Sequence, residues 1–288
     1  MKQRNRNARN GWLLVLPLIL GCMVFYGIPF AMVIRHSFTR GAGNSYRFVG
    51  LQYFENVIQN HLFRLAFGNT LKFLLIGLPL ILVVSYAIAL MLKNQVRKHQ
   101  VLKSVLLLPY IMPVVGTMLS VELLFAESGL MNQMLTALNL PVQDWLNSQN
   151  AFWVVMGMYL WKNTGYAVIL LLSGLITIPE DQYQSAQIDG ANAWQQFRYI
   201  TAPQMWYSVF FAMVFSLINA FKSFREIFLI GGTRPDNSIY MLQHFINNCF
   251  ESINYPKLAV ASVLLLIVLS VVFTAGYRWV MKKEAYRE

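Results

Sequence analysis

The sequence predicts an all-helical polytopic membrane protein with six membrane-spanning helices and both termini on the cytoplasmic side. Its composition is too apolar for an ordinary soluble domain, because 57% of the 288 residues are hydrophobic, 12% are charged and the mean hydropathy is +0.47. Several apolar runs reach the roughly 20 residues that a helix needs to cross a hydrocarbon core of about 30 Å. The alternating pattern of a β-barrel is absent, and helices are the other way to satisfy every backbone group in lipid.

Six apolar runs are long enough to cross a membrane. They are residues 12–34, 73–92, 105–125, 152–176, 207–230 and 258–280. Charges interrupt the fourth run at Lys162 and the fifth run at Lys222, Arg225 and Glu226. The first run follows basic residues as a signal peptide would, but its apolar core is too long and no clear cleavage site follows. We therefore expect an uncleaved first helix.

The connections between these runs are short, which predicts one membrane domain without a soluble domain. The three predicted outer loops are residues 35–71, 126–151 and 231–257. The predicted domain plan is an N-terminal cytoplasmic segment, a membrane domain and a cytoplasmic tail, at residues 1–11, 12–280 and 281–288. Cys22 and Cys249 are too few for a disulfide framework.

The net charge of +11 is distributed by side of the membrane. The basic residues of one side are Lys2, Arg4, Arg6, Arg9, Lys93, Arg97, Lys98, Lys103, Arg198, Arg278, Lys282, Lys283 and Arg287. The connections on the other side hold far fewer, so the positive-inside rule places both termini in the cytoplasm. Basic residues that follow the spans do not form one solvated face, which argues against nucleic acid as a partner and for a lipid bilayer.

The only long connection on the basic side is residues 177–206. Pro179 is suited to the start of a helix, and Gly190 offers a turn. Asn192 can cap a second helix, which we expect to end at Pro203. The pattern predicts a helix–turn–helix outside the bilayer. Its mixed charge favours a protein partner over anionic lipid.

Motifs for enzymatic chemistry are missing from the sequence. It contains no G-x-x-x-x-G-K-[ST] loop for nucleotide phosphates, no H-E-x-x-H pair for zinc and no G-x-S-x-G elbow for a nucleophilic serine. We therefore expect neither ATP hydrolysis nor any other catalysis by this chain, and no metal or cofactor bound to it.

Residues 184–203 read QSAQIDGANAWQQFRYITAP. Their spacing resembles the EAA loop of ABC importer permeases, whose pattern is E-A-A, three residues, Gly, nine residues and I-x-L-P. The flanking residues, including Ile188-Asp189-Gly190-Ala191, are similar to the carbohydrate uptake branch of that family. The matching positions are Gln184, Ser185, Ala186, Asp189, Gly190, Ala191, Trp194, Phe197, Ile200 and Pro203.

Three positions depart from the family pattern. Gln184 replaces the usual Glu, Ser185 the first Ala, and Ala202 the usual Leu. An ionic role for the Glu therefore does not carry over, although the Gln184 amide can still donate and accept hydrogen bonds.

The resemblance implies a type I ABC importer permease that forms half of a sugar pathway. Its implied partners are a second, homologous permease subunit, a cytoplasmic ABC ATPase dimer that binds ATP and Mg²⁺, and an extracytoplasmic solute-binding protein. The loop would dock into a groove of the ATPase, with Trp194 and Phe197 as apolar anchors.

Charged and aromatic residues in the fourth and fifth runs are the candidate substrate pathway, because sugars bind to hydrogen-bonding groups and to aromatic faces. The candidates are Trp161, Lys162, Asn163, Tyr166, Asn219, Phe221 and Lys222. Lys222 and Glu226 stand four residues apart, so they are expected to pair with each other. Lys162 faces either a cavity or a hydrogen-bond partner on another helix.

Alternative functions remain open at this point. The two lysines would also suit glycerol phosphate or another non-sugar solute. A self-sufficient secondary transporter could use the same charges for ion coupling. A membrane-embedded enzyme would need convergent His, Cys or carboxylate residues, which the runs do not supply.

Overall fold

A computed structural model describes residues 12, 14–40, 47–93 and 100–284. The predicted N-terminal segment and the last four residues of the predicted tail lie outside these residues, and the predicted domain limits stay predictions. Contacts divide the chain into two compact units. One consists of Met1–Arg64 with Ile246–Leu269, and the other of Leu65–Phe245 with Ser270–Glu288.

The regular secondary structure of the described residues is helical apart from one short antiparallel pair of strands. The strands are β1, Thr39–Arg40, and β2, Arg47–Phe48. The helices of the first half are α1 (Leu14–Phe38, with a π-helical turn at Met23–Gly27), α2 (Gln52–Gln59), α3 (His61–Leu92), α4 (Gln100–Ile111), α5 (Val114–Phe125) and α6 (Leu130–Ala137). Those of the second half are α7 (Ala151–Thr177), α8 (Glu180–Ile188), α9 (Ala193–Gln196), α10 (Trp206–Lys222), α11 (Phe224–Gly231), α12 (Leu242–Glu251) and α13 (Tyr255–Glu284).

Six stretches of the described residues are long and apolar enough to cross a membrane, as predicted. They are Leu14–Phe38, His61–Leu92, Val114–Ala137, Ala151–Thr177, Trp206–Gly231 and Tyr255–Arg278.

In the first unit, β1 follows α1 directly, and the ring of Phe38 contacts the rings of Phe48 (6.4 Å between centroids) and Phe54 (5.2 Å). The Asn60 side chain accepts a hydrogen bond from the Phe63 amide at 3.1 Å and so caps the start of α3.

In the second unit, α7 is the central helix, and more than half of its most apolar window is buried. α4 and α10 pack against it. Gly165 permits the contact with α4, because a Cβ at this position would lie 1.7 Å from the Leu106 carbonyl oxygen. At the other end of α7, the rings of Phe152 and Tyr159 meet Phe73 of α3 edge to face.

Several predicted boundaries are wrong. The second span begins at His61 rather than at residue 73, so the first predicted outer loop is partly helical. The third run is two helices, because Pro113 lacks an amide hydrogen and disfavours helical geometry at Met112 before it. The other two predicted outer loops contain α6 and α12.

Candidate functional site

The predicted helix–turn–helix is present as a hairpin of α8 and α9, which we call the 180–204 hairpin. Pro179 precedes the first residue of α8, where its missing amide hydrogen costs no hydrogen bond. The turn is made by Gly190, whose φ of +80° is strained for residues with a side chain. The amide of Ala191 donates to the Ala186 carbonyl at 2.8 Å, which closes the end of α8.

The second arm begins with a capping box. The Asn192 side chain accepts from the Gln195 amide at 2.9 Å, and the Gln195 side chain accepts from the Asn192 amide at 2.8 Å. The arm continues through a π-helical turn, Phe197–Thr201, and a last turn, Ala202–Gln204. Pro203 therefore lies inside the last turn and does not end the arm as predicted, because proline fits the first turn of a new helical segment.

Side chains tie the two arms together and to α3. The hydroxyl groups of Tyr183 and Thr201 are 2.9 Å apart and buried, and the Gln204 side chain donates to Gln182 at 2.5 Å. Lys93, just after α3, places its ammonium 3.7 Å from the Glu180 carboxylate and 3.8 Å from the centre of the Tyr183 ring. These contacts connect the hairpin to the end of α3.

The outer surface of the hairpin carries large apolar side chains. Ile188 is 88% exposed, Trp194 69% and Tyr199 74%. The Trp194 ring stacks on Phe197 at 5.6 Å, so it is held in place while exposed. Exposed anchors of this kind are typical of protein-binding surfaces.

The ten predicted loop positions all lie on this hairpin. Four small or polar ones, at the end of α8 and at the turn, are exposed: Gln184, Ser185, Asp189 and Gly190. Trp194 is exposed as well, and the partly buried positions are Ala186, Ala191, Phe197, Ile200 and Pro203. The hairpin thus presents backbone and polar groups beside its apolar anchors.

The second feature is a charge pair within the membrane spans. The Lys162 ammonium on α7 lies 2.5 Å from the Glu226 carboxylate on α11 and 3.2 Å from the Thr117 hydroxyl on α5. Only 13% of the Lys162 side chain and 6% of the Glu226 side chain are exposed. Of the two alternatives for Lys162, the structure has the partner on another helix.

The predicted pairing of Lys222 with Glu226 is wrong. The fifth span is interrupted at Ser223, between α10 and α11, so the two residues do not share one continuous helix and the i, i+4 spacing no longer places them side by side. Glu226 turns inward to Lys162, whereas Lys222 is exposed. The freed backbone carbonyl of Phe221 accepts a hydrogen bond from the Gln243 side chain at 2.9 Å.

The other predicted pathway residues differ in exposure. Trp161 is 47% exposed, and Tyr166 lies between Tyr110, which it stacks on at 4.7 Å, and Phe215, which it meets edge to face. The two asparagines are buried: the Asn163 side chain donates to the Tyr159 carbonyl of its own helix at 2.8 Å, and Asn219 is 6% exposed. Whether these residues contact a solute stays a prediction.

A cavity of about 570 Å³ opens between α5 and α7, beside Trp161. Its lining is mostly apolar and includes three tryptophans. The aromatic and polar members of the lining are Phe125, Trp145, Trp153, Trp161, Ser120 and Asn150. Only Trp161 of the predicted pathway residues lines it.

Sequence reasoning missed Thr117, Lys93 and Tyr199 as parts of these sites. Thr117 and Lys93 carried no signal, because their partners are distant in sequence. Tyr199 carried no distinguishing signal either, because Tyr183 is an aromatic residue of the same polar connection and is buried.

Comparison with protein families matches residues 82–285 to the family described as "Binding-protein-dependent transport system inner membrane component". The chain belongs to this family. It is therefore a permease component of an ABC importer and a multi-pass protein of the cell membrane, as the 184–203 spacing predicted. The family is one of transport components and not of enzymes, which agrees with the expectation from the missing motifs.

Curated relatives match the permease over most of its length. A probable ABC transporter permease protein of Pyrococcus horikoshii is 29% identical over 273 residues, which are 93% of each chain. The trehalose/maltose transport system permease protein MalF of Thermococcus litoralis is 28% identical and covers 96% of this chain and 95% of its own. The arabinooligosaccharides transport system permease protein AraP of Bacillus subtilis is 27% identical and covers 90% and 85%.

A solved structure confirms the predicted fold class. A bacterial ABC transporter involved in the import of the acidic polysaccharide alginate contains a chain that superposes on the permease with a TM-score of 0.79. The match covers 97% of this chain and 99% of that one at 21% identity, so it shows the fold alone.

Proposed function

We propose that this permease forms half of a translocation pathway for a sugar or oligosaccharide and couples transport to ATP hydrolysis by a separate subunit. The observation that carries the coupling proposal is the 180–204 hairpin, with exposed Ile188, Trp194 and Tyr199 beside a tight turn at Gly190. Such anchors on a projecting hairpin fit a groove on a protein partner. The relatives named for trehalose, maltose and arabinooligosaccharides support the solute class.

The proposed assembly contains a second, homologous permease subunit, two cytoplasmic ATPase subunits that bind ATP and Mg²⁺, and an extracytoplasmic solute-binding protein. Both termini and the hairpin would face the cytoplasm, in line with the distribution of basic residues. ATP binding would favour one orientation of the pathway because the ATPase dimer contacts the hairpin differently in each state.

The charge pair favours a neutral solute over glycerol phosphate. Glu226 compensates the charge of Lys162 at 2.5 Å, so this lysine does not offer an uncompensated positive charge to an anion. Lys222 is exposed, but it stands at a helix end, where a cation interacts favourably with the last carbonyl groups.

The test is to purify the tagged chain from its native membrane in mild detergent, identify the bound proteins by mass spectrometry and assay ATP hydrolysis. We expect a second six-span permease and an ATP-hydrolysing subunit to remain bound. Radiolabelled maltose and an arabinooligosaccharide, tested for uptake in cells, then probe the solute class.

A contrary result is equally definite. A chain that purifies alone and moves sugar into liposomes without ATP would be a self-sufficient secondary transporter. The exposed side chains of the 180–204 hairpin would then need another partner.

A further inference from the structure

The fifth span is built from two helices that rest on different neighbours. α10 packs against α7, and α11 packs against α5. They meet at Ser223, whose hydroxyl donates to the Asn219 carbonyl at 3.0 Å, and the Gln243 side chain holds the Phe221 carbonyl. Element-terminal residues whose backbone groups are satisfied by side chains can absorb a change in direction, as hinges do.

The Lys162–Glu226 pair joins the two halves of this arrangement. Glu226 lies in the first turn of α11, while Lys162 belongs to α7, the helix on which α10 rests. Thr117 of α5 contacts the same ammonium. The pair therefore connects α11 to α7 directly.

Stability alone does not account for this pair. A buried ion pair loses about as much by desolvation as it gains by attraction, and apolar residues of similar volume often replace it without loss. Here the desolvation is also incompletely offset, because Glu226 Oε2 is buried and has no hydrogen-bond partner among the described residues. Registry and switching are the best supported uses of such pairs.

We propose that Lys162 and Glu226 form a latch that closes in one orientation of the pathway and opens in the other, with α11 moving about Ser223. The latch rests on the proposed function, since it assumes a cycle driven by ATP. Thr117 steadies Lys162 on the α5 side. The two charged residues are positioning residues, because they act on the pathway through α11.

A zero-length cross-link reports the latch directly. Dicyclohexylcarbodiimide enters membranes and activates a buried carboxylate, and the touching Lys162 amine then forms an amide as dicyclohexylurea leaves. Mass spectrometry of the purified complex measures the fraction of peptides joined through residues 162 and 226. Glu226→Gln, which cannot be activated, is the matched control.

We expect the cross-linked fraction to differ between the nucleotide-free complex and the complex trapped with ATP and vanadate. The difference should be at least about fivefold, which is the lower end of the usual range for the coupling between two sites. Equal fractions in the two complexes would overturn the latch. A chain that purifies without an ATPase would overturn the proposed function, and the latch with it.

Variants separate the latch from a purely structural pair. Lys162→Met with Glu226→Leu removes both charges, so its thermal unfolding temperature should stay near that of the wild type. Its ATP hydrolysis rate in the complex should nevertheless change at least about fivefold, because separated charges regain water whereas separated apolar side chains do not, so the balance between the two states shifts. The exchanged pair, Lys162→Glu with Glu226→Lys, should return the rate towards the wild-type value. An unchanged rate in the apolar variant would make the pair structural only.

Discussion

At φ +80°, Gly190 holds a backbone conformation that costs residues with a side chain about 1–2 kcal/mol. The space around it is open, since a Cβ there would meet no atom within 4 Å. We therefore expect Gly190→Val to act through backbone strain alone. The amount of ATPase subunit that co-purifies with the chain should fall by about 5–30-fold. Gly190→Asn is the control, because asparagine tolerates this region. Equal loss in both variants would mean that side-chain size matters and not strain.

His244 is fully buried against the rings of Phe224 and Tyr240, outside the membrane spans. Its Nδ1 accepts from the Met241 amide at 3.1 Å, and burial lowers the pKa of the imidazole from 6.5 to about 4. Below pH 6.5 the unfolded chain binds a proton that the folded chain does not, so the free energy of unfolding falls as the pH falls from 6.5 to 4.

The thermal unfolding temperature, measured across this pH range, should therefore decline more steeply in the wild type than in His244→Phe. Phenylalanine keeps the ring contacts and has no titrating group. Parallel curves for the two proteins would show that His244 does not carry the pH dependence.

At the scale of elements, α4 and α7 approach so closely that only glycine fits between them at position 165. Gly165→Ala would place its Cβ against the Leu106 backbone, which cannot rotate away, so we expect a loss of about 1–3 kcal/mol in stability. Gly157 on the same helix has no atom within 4 Å of its virtual Cβ. Gly157→Ala should therefore keep or raise the unfolding temperature in detergent, while Gly165→Ala lowers it. A similar response of both variants would contradict this packing.

Hydropathy predicted the existence of all six spans, and it placed the starts of the fourth and fifth within one residue, but it did not place the starts of the second and third. The second span runs from His61, because the polar residues of its first turns sit at the end of a long helix rather than in a loop. These turns are polar, so a prediction from hydropathy alone leaves them out of the span. The interruption at Pro113 was visible in sequence as a proline, whereas the one at Ser223 carries no proline or glycine and depends on a side chain from α12.

For the whole molecule, the 180–204 hairpin was easier to predict than the charge pair of Lys162 and Glu226. The 180–204 hairpin follows from residues close in sequence, such as Pro179, Gly190 and Asn192, and its turn and cap are as expected. The membrane charges depend on contacts between distant residues. Lys162 and Glu226 are 64 positions apart, so periodicity favoured the nearer Lys222 as partner and was wrong.

The contact of Lys93 with Glu180 and Tyr183 also allows a movement of the hairpin to tilt α3. α3 has 32 residues, so it is about 48 Å long at 1.5 Å per residue. Pro79 lies inside α3, and an internal proline removes a helix hydrogen bond and permits a kink. A tilt imposed by the hairpin would therefore act on the segment that follows Pro79, which is about 20 Å long, and would displace the far end of that segment by about 0.35 Å per degree. The position of one proline thus sets how far into the membrane a movement of the hairpin is carried.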